Sequence, residues 1–153
     1  MRHPGAPLLI GLAVASIAVA QRVPPELSAL ASKAGLDRPV AAWCRAEFRS
    51  GHPGAFAVAV TSAAGGGRYV ILDSDASVEE LAAFTRGPDL SCYSRAEAEK
   101  LNVDIRDSRT IQGEITPRWS TAVVCGFVDD TSAACWQYSP DAGAFVRIGG
   151  WVT

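Results

Sequence analysis

The sequence predicts an α+β fold built from two antiparallel three-stranded meanders and three short helices. Apolar residues alternate with a period of two at about 40–72 and again at about 119–152, as expected of strands with one buried face. Helix start and stop signals lie before and between these regions, and they predict helices at about 25–34, 78–86 and 95–101. Because strands and helices are grouped rather than strictly alternating, the pattern is typical of an α+β domain.

The composition is that of a folded protein and excludes some function classes. The chain has 153 residues, of which 48% are apolar and 20% charged, and its net charge is −2. This apolar fraction is too high for a disordered chain. The small negative charge argues against nucleic acid as a partner, because phosphate binding requires a concentrated basic face. We find no motif for a metal, a nucleotide or another cofactor, so no cofactor is predicted.

The first 20 residues have the pattern of a secretory signal peptide. A basic start at Arg2 precedes the apolar run Leu8–Ala20, which ends with small residues at the two positions that a signal peptidase reads. The run is shorter than the roughly 18 residues that span a bilayer, although an uncleaved anchor is the alternative. We expect cleavage of residues 1–20, which leaves 21–153 as a single disulfide-stabilised globular domain, secreted or periplasmic, with no membrane span.

The first helix and the first meander have clear boundaries in the sequence. The pair Pro24-Pro25 is typical of a helix start, and Gly35 is placed to end the helix. Glycine-rich turns then separate three apolar segments. These segments predict strands at 40–48, 55–61 and 69–72.

Two capping-box patterns predict the second and third helices. Ser77 with Glu80, and Ser94 with Glu97, have the spacing at which a serine hydroxyl and a glutamate each bond the other's backbone N–H. Gly87 is placed to end the helix that follows Ser77.

The second meander is predicted from two turns. The segments Asp129–Thr131 and Pro140–Gly143 separate three apolar runs. These runs predict strands at 120–128, 132–139 and 144–152. Residues 103–117 have no clear period, and only an irregular strand near 110–115 is expected there.

Four cysteines in an exported chain favour two disulfides, for which three pairings exist. Pairing the strands of the second meander about Asp130 places Cys125 opposite Cys135, close to the separation that a disulfide accepts. Cys44 then pairs with Cys92. A zinc site and a redox pair are the alternatives, but the chain lacks the Cys-x-x-Cys spacing typical of both.

The same register predicts an aromatic face on the second meander. Tyr138 lies opposite Phe145 and Trp136 opposite Arg147, and simple alternation places Trp151 on the same side. The opposite face is aliphatic and carries the Cys125–Cys135 bridge. Two interpretations are open: the aromatic side chains are core, with Arg147 as a lid over Trp136, or they form an exposed platform for a glycan or a partner protein.

No catalytic signature is present, and no catalytic residue is predicted. His52 is the one histidine downstream of Ala20, so a small secreted hydrolase would use it with a serine, or would use a pair of carboxylates instead. Convergence of His52 with Asp73 or Asp75 in one cleft would favour that alternative. The sequence favours an exported, non-catalytic binding module of the cell envelope or extracellular space, with a protein or cell-wall glycan as ligand.

Overall fold

The computed structural model describes residues 22–153, so the predicted signal peptide and its cleavage point lie outside the described residues. Within this range the chain forms two helices and nine strands. The elements are α1 Pro25–Lys33, β1 Val40–Ala46, β2 Ala55–Thr61, β3 Gly67–Leu72, β4 Val78–Phe84, β5 Leu90–Tyr93, α2 Arg95–Asp107, β6 Gln112–Ile115, β7 Val123–Phe127, β8 Ser132–Ser139 and β9 Ala144–Val152.

The strands form two antiparallel sheets that pack face to face. Sheet 1 has the order β1-β2-β3-β4, and sheet 2 has the order β5-β7-β8-β9-β6. Ile71 of sheet 1 and Val124 and Trp136 of sheet 2 belong to one buried cluster between the sheets. Helix α1 covers the outer face of sheet 1 through Leu27, and helix α2 covers the outer face of sheet 2 through Ile105. The fold is therefore mainly β, with four layers in the order α–β–β–α.

The prediction of a helix at 78–86 is wrong, because this segment forms the edge strand β4 of sheet 1. Ser77 lies in the turn between β3 and β4, where its N–H donates to Asp75 Oδ1 at 2.9 Å instead of beginning a helix. A capping box is a local signal of about 1 kcal/mol, and here the pairing of β4 with β3 outweighs it.

Each predicted meander is part of a larger sheet. The three strands expected at 40–48, 55–61 and 69–72 correspond to β1, β2 and β3, to which β4 adds a fourth. The second meander corresponds to β7, β8 and β9, and the short strands β5 and β6 pair with its two sides. The aliphatic face predicted for this meander packs under α2.

The capping box at the start of α2 is confirmed. Glu97 N–H donates to Ser94 Oγ at 3.2 Å, and Ser94 N–H donates to Glu97 Oε2 at 2.7 Å. Hydrogen bonding of the Glu97 carboxylate to the backbone and the side chain of Ser94 lowers the pKa of Glu97. The helix runs beyond the predicted end at 101 to Asp107, since Asn102 is buried inside it and accepts the Ile115 N–H at 2.8 Å. Neither helix within 22–153 is long and apolar enough to cross a membrane.

Both predicted disulfides are present. Cys44–Cys92 joins β1 to β5 and so links an edge strand of each sheet, with the Cα atoms 5.8 Å apart. Cys125–Cys135 joins directly opposed residues of β7 and β8. All four sulfurs are bridged, which excludes the four-cysteine zinc site as an alternative. Such bridges are typical of proteins that fold in an oxidising environment.

The hydroxyl of Tyr69 connects the two sheets by hydrogen bonds. The side chain projects from β3 and is 0% exposed. Its hydroxyl donates to Phe127 O at 2.6 Å and accepts the Asp89 N–H at 3.3 Å. The ring passes so close to β7 that a Cβ at position 126 would lie 2.8 Å from it, which explains the glycine there. Burial raises the pKa of Tyr69 above its usual value of 10.0.

We expect Tyr69→Phe to lower the free energy of unfolding by about 1–2 kcal/mol at pH 7, because the Phe127 carbonyl and the Asp89 N–H lose their partner. A raised pKa in the folded state means that Tyr69 stabilises the fold below pH 10 and that this contribution is lost as the pH rises through the folded pKa. The variant should therefore lose less stability than wild type between pH 9 and pH 11. Urea unfolding across this range measures both effects. Tyr93→Phe is the control, and an equal alkaline loss in wild type and Tyr69→Phe would contradict the prediction.

Candidate functional site

Part of the predicted aromatic face has the expected register. Trp136 lies opposite Arg147, and Tyr138 lies opposite Phe145. The rings of Tyr138 and Phe145 meet edge to face, with centroids 5.6 Å apart. The turn chemistry of the second meander was therefore sufficient to predict which of these residues are neighbours.

A β-bulge in β9 changes the other part of that face. Ile148 has no partner between the pairs Trp136–Arg147 and Cys135–Gly149, so the alternation of the remaining strand shifts by one residue. Trp151 consequently faces α2, with its ring centroid 6.0 Å from that of Phe127. The prediction that Trp151 shares a face with Trp136 is wrong.

The remaining residues of the predicted aromatic face differ in how deeply they are buried. Trp136 is only 5% exposed and packs between the sheets, with its ring centroid 6.3 Å from that of Tyr69. Arg147 is exposed, and its Nε donates to the Gly149 carbonyl of its own strand at 3.3 Å. Trp136 is thus a core residue, which agrees with the interpretation of the aromatic side chains as core and not with an exposed platform. The five side chains do not form one exposed platform.

Tyr138 instead borders a cavity of about 280 Å³, named here the Arg49 cavity. Three segments of the chain meet at this cavity: the turn that follows β1, the loop that precedes β7 and the end of β8. The side chains around it are Arg49, Ser50, His52, Trp119, Ser120, Thr121, Tyr138 and Pro140.

The turn after β1 presents Arg49 and His52 together. Phe48 is 0% exposed and fixes the turn to the core, with its ring centroid 6.0 Å from that of Phe145. His52 N–H donates to Arg49 O at 3.0 Å, and the two residues form an antiparallel bridge, so their side chains project to the same side. Gly51 permits the turn, since its φ of 78° is unfavourable for other residues.

A fully buried glutamine holds the loop on the other side of the cavity. Gln137 is 0% exposed, and its Oε1 accepts the N–H groups of Arg118 and Trp119 at 2.9 and 3.3 Å. Its Nε2 donates to the carbonyls of Trp119 and Thr121, both at 2.9 Å. These four bonds use the full capacity of the amide and set the position of Trp119. The loop is therefore fixed before any ligand arrives.

The loop and the turn are also bonded directly to each other. Ala122 N–H donates to Glu47 O at 3.1 Å, which connects the end of the loop to the start of the turn. Glu47 Oε1 in turn accepts the Gly51 N–H at 2.9 Å. The two walls of the Arg49 cavity thus form one connected hydrogen-bonded unit.

A buried carboxylate lies beside the two basic side chains. Asp73 is 5% exposed, and its Oδ1 accepts the Ser74 N–H at 2.7 Å. Its Oδ2 lies 3.8 Å from an Arg49 Nη and 3.9 Å from His52 Nδ1, close enough for charge attraction but too long for hydrogen bonds. The charge of Arg49 therefore compensates that of Asp73, which would otherwise be costly to bury.

Two polar atoms of the cavity residues have no partner among residues 22–153. The guanidinium of Arg49 stacks on Tyr138, with Cζ 4.6 Å from the ring centroid, and its Nε is buried without a hydrogen bond. Thr121 Oγ1 is also buried without a hydrogen bond. Both atoms are buried, so they belong to the wall of the cavity and are not donors or acceptors exposed to a ligand.

Of the residues singled out from the sequence, the structure brings His52 and Tyr138 together at the cavity and places Asp73 beside His52. The sequence interpretation missed Arg49, Trp119 and Gln137, although an amide at an inward position of the apolar strand β8 is a recognisable signal. Within 22–153, no group of three or more His, Cys, Asp or Glu side chains could hold a metal ion. Comparison of the chain with protein-family models, with curated proteins and with solved structures finds no match.

Proposed function

We propose that residues 21–153 form an exported, non-catalytic binding module that holds part of a protein or glycan ligand in the Arg49 cavity. The observation that carries this proposal is a rigid concave site in which aromatic rings and hydrogen-bonding groups converge. Small-molecule and side-chain sites usually combine these two features. The two disulfides support the export, because secreted and periplasmic proteins retain such bridges.

The cavity offers a ligand both an apolar wall and polar partners. Trp119 contributes ring surface, which contacts a sugar face or an apolar side chain with little loss of conformational entropy, and the guanidinium of Arg49 stacked on Tyr138 borders the same space. Ser50 and Ser120 contribute hydroxyl groups that donate and accept hydrogen bonds. Since Gln137 already fixes the loop, binding does not have to order this wall of the site.

Replacement of Arg49 tests the location of the site. We expect Arg49→Ala to weaken binding at least about 10-fold, because the cavity loses the guanidinium that forms part of its wall and stacks on Tyr138. The disulfide-bonded protein, purified after export, is screened on an array of soluble cell-wall oligosaccharides and peptides, and positive probes are titrated by calorimetry. Arg147→Ala is the matched control, as it removes an exposed arginine from β9. Loss of binding in Arg147→Ala but not in Arg49→Ala would place the site elsewhere.

A small hydrolase is the second candidate, and one observation favours it. His52 Nδ1 lies 3.9 Å from the buried carboxylate of Asp73, and Ser50 and Ser120 border the same cavity. A serine hydrolase needs this set of groups, with the carboxylate orienting the imidazole that activates the serine. The contacts of residues 22–153 include no hydrogen bond between His52 and a serine hydroxyl, and the His52 side chain is 55% exposed. Binding is therefore the better-supported function.

Ester hydrolysis distinguishes the two candidates. If the protein binds without catalysis, release of nitrophenol from p-nitrophenyl acetate should equal that of the His52→Ala variant. A rate that falls at least about 100-fold in His52→Ala, with a parallel loss in either Ser50→Ala or Ser120→Ala, would establish the hydrolase instead.

A further inference from the structure

The Arg49 cavity continues into a second cavity of about 380 Å³. Ser50, Ser120 and Thr121 border both cavities, so the two spaces adjoin along these three residues. The second cavity extends to Ser94, at the start of α2, and is completed by Ala46, Glu47 and Ala122. Together the two spaces form an elongated groove, named here the serine groove, which runs from Tyr138 to Ser94.

The lining of the serine groove is rich in hydroxyl groups. Three serines border it, Ser50, Ser94 and Ser120, together with Thr121, whose Oγ1 is buried. In the second cavity the apolar side chains are only the two alanines, Ala46 and Ala122. Peptide-binding grooves instead offer apolar pockets for side chains or a strand edge for backbone pairing. A chain of hydroxylated units matches this lining better than a peptide does.

The charges at the groove compensate one another. Arg49 lies beside the buried carboxylate of Asp73, and Glu47 borders the second cavity with a further negative charge. No excess of positive charge is therefore available to select an anionic ligand. The guanidinium of Arg49 remains a hydrogen-bond donor, which a neutral hydroxyl or carbonyl oxygen satisfies.

We infer that the ligand of the serine groove is a neutral, linear oligosaccharide. One sugar unit lies against Trp119 and the guanidinium of Arg49 in the Arg49 cavity, and the following units extend along the serine hydroxyl groups toward Ser94. This inference rests on the proposed binding function and adds the ligand class and the direction of the chain. It requires that affinity increase with the number of sugar units until the groove is filled.

A length series of sugars tests the inference. The purified disulfide-bonded protein is titrated calorimetrically with malto-, cello- and chito-oligosaccharides of one to four units, and with oligogalacturonates and peptides for comparison. We expect at least one neutral series to bind about 10-fold more tightly at three units than at one. The acidic oligogalacturonates should bind no more tightly than neutral chains of equal length.

Ser94→Asp tests the far end of the groove. Aspartate also caps helices, so α2 should be retained while a charge replaces the hydroxyl in the second cavity. We expect the three-unit sugar to lose about 5-fold in affinity and the single unit to be unchanged. Ser28→Asp, on the exposed side of α1, is the matched control and should change neither value.

The outcomes separate this inference from the proposed function. Sugar binding that does not change with length, or binding of peptides alone, would overturn the inference and leave the binding function intact. Tighter binding of the acidic chains would also overturn it. Absence of binding by every sugar and every peptide would overturn both.

Discussion

Replacement of both Cys44 and Cys92 by alanine is expected to lower the free energy of unfolding by about 4 kcal/mol. The two cysteines are separated by 48 positions, and the bridge restricts a correspondingly long loop of the unfolded chain. In the folded state it connects β1 of sheet 1 with β5 of sheet 2, so its loss also removes a cross-link between the sheets. Equilibrium unfolding in guanidinium chloride measures the change.

The second disulfide provides the matched comparison. Cys125 and Cys135 are only 10 positions apart, and their joint replacement by alanine should cost about 3 kcal/mol. Cys44 and Cys92 are half-buried, whereas Cys125 and Cys135 are buried, so the two variants differ in burial as well as in loop length. A larger loss for the Cys125–Cys135 pair would contradict the loop-length argument and would show that local packing in the β7–β8 hairpin dominates.

Gln137→Met is expected to lower the free energy of unfolding by about 3 kcal/mol and to weaken ligand binding. Methionine has nearly the same length but cannot bond the two N–H groups and two carbonyls of the 118–121 loop that Gln137 holds. The loop then has no fixed position, and Trp119 is no longer preorganised beside the cavity. Chemical unfolding and titration with the bound probe measure the two effects.

Gln112→Met is the control for this change. Gln112 is an exposed residue of β6, so the same replacement there should alter stability by less than about 0.5 kcal/mol and leave binding unchanged. A Gln137→Met protein of wild-type stability would show that water replaces the amide at little cost. Wild-type affinity in that variant would show that the loop does not need the amide to form the site.

The parts of the fold that were predicted correctly depend on signals close together in the sequence. The turn at Asp129–Thr131 sets the register of β7 and β8, and this register places Cys125 opposite Cys135. The bulge at Ile148 has no such signal, since a single extra residue leaves the apolar pattern almost unchanged while it moves Trp151 to the other face. The prediction of a helix in place of β4 was wrong for a related reason. The capping box is a local signal, whereas the pairing of this strand depends on β3.

The candidate site could be predicted only in part, because its walls come from distant segments. Arg49 and His52 belong to a turn after β1, whereas Trp119 belongs to a loop before β7. The contact between these segments depends on the packing of sheet 1 on sheet 2, which periodicity and turn chemistry do not specify. His52 and Tyr138 were found because their residue types are chemically conspicuous, and Arg49 was missed because isolated arginines are common on surfaces.

The order of the disulfides along the chain has a consequence for biosynthesis. The first cysteine to be synthesised is joined to the second, Cys44 to Cys92, and the third is joined to the fourth, Cys125 to Cys135. A chain that emerges with its amino terminus first therefore meets its correct thiol partner before a wrong one is available. Oxidation in step with synthesis yields the native connectivity directly, and isomerase-catalysed reshuffling is needed only for chains that are oxidised after they are complete.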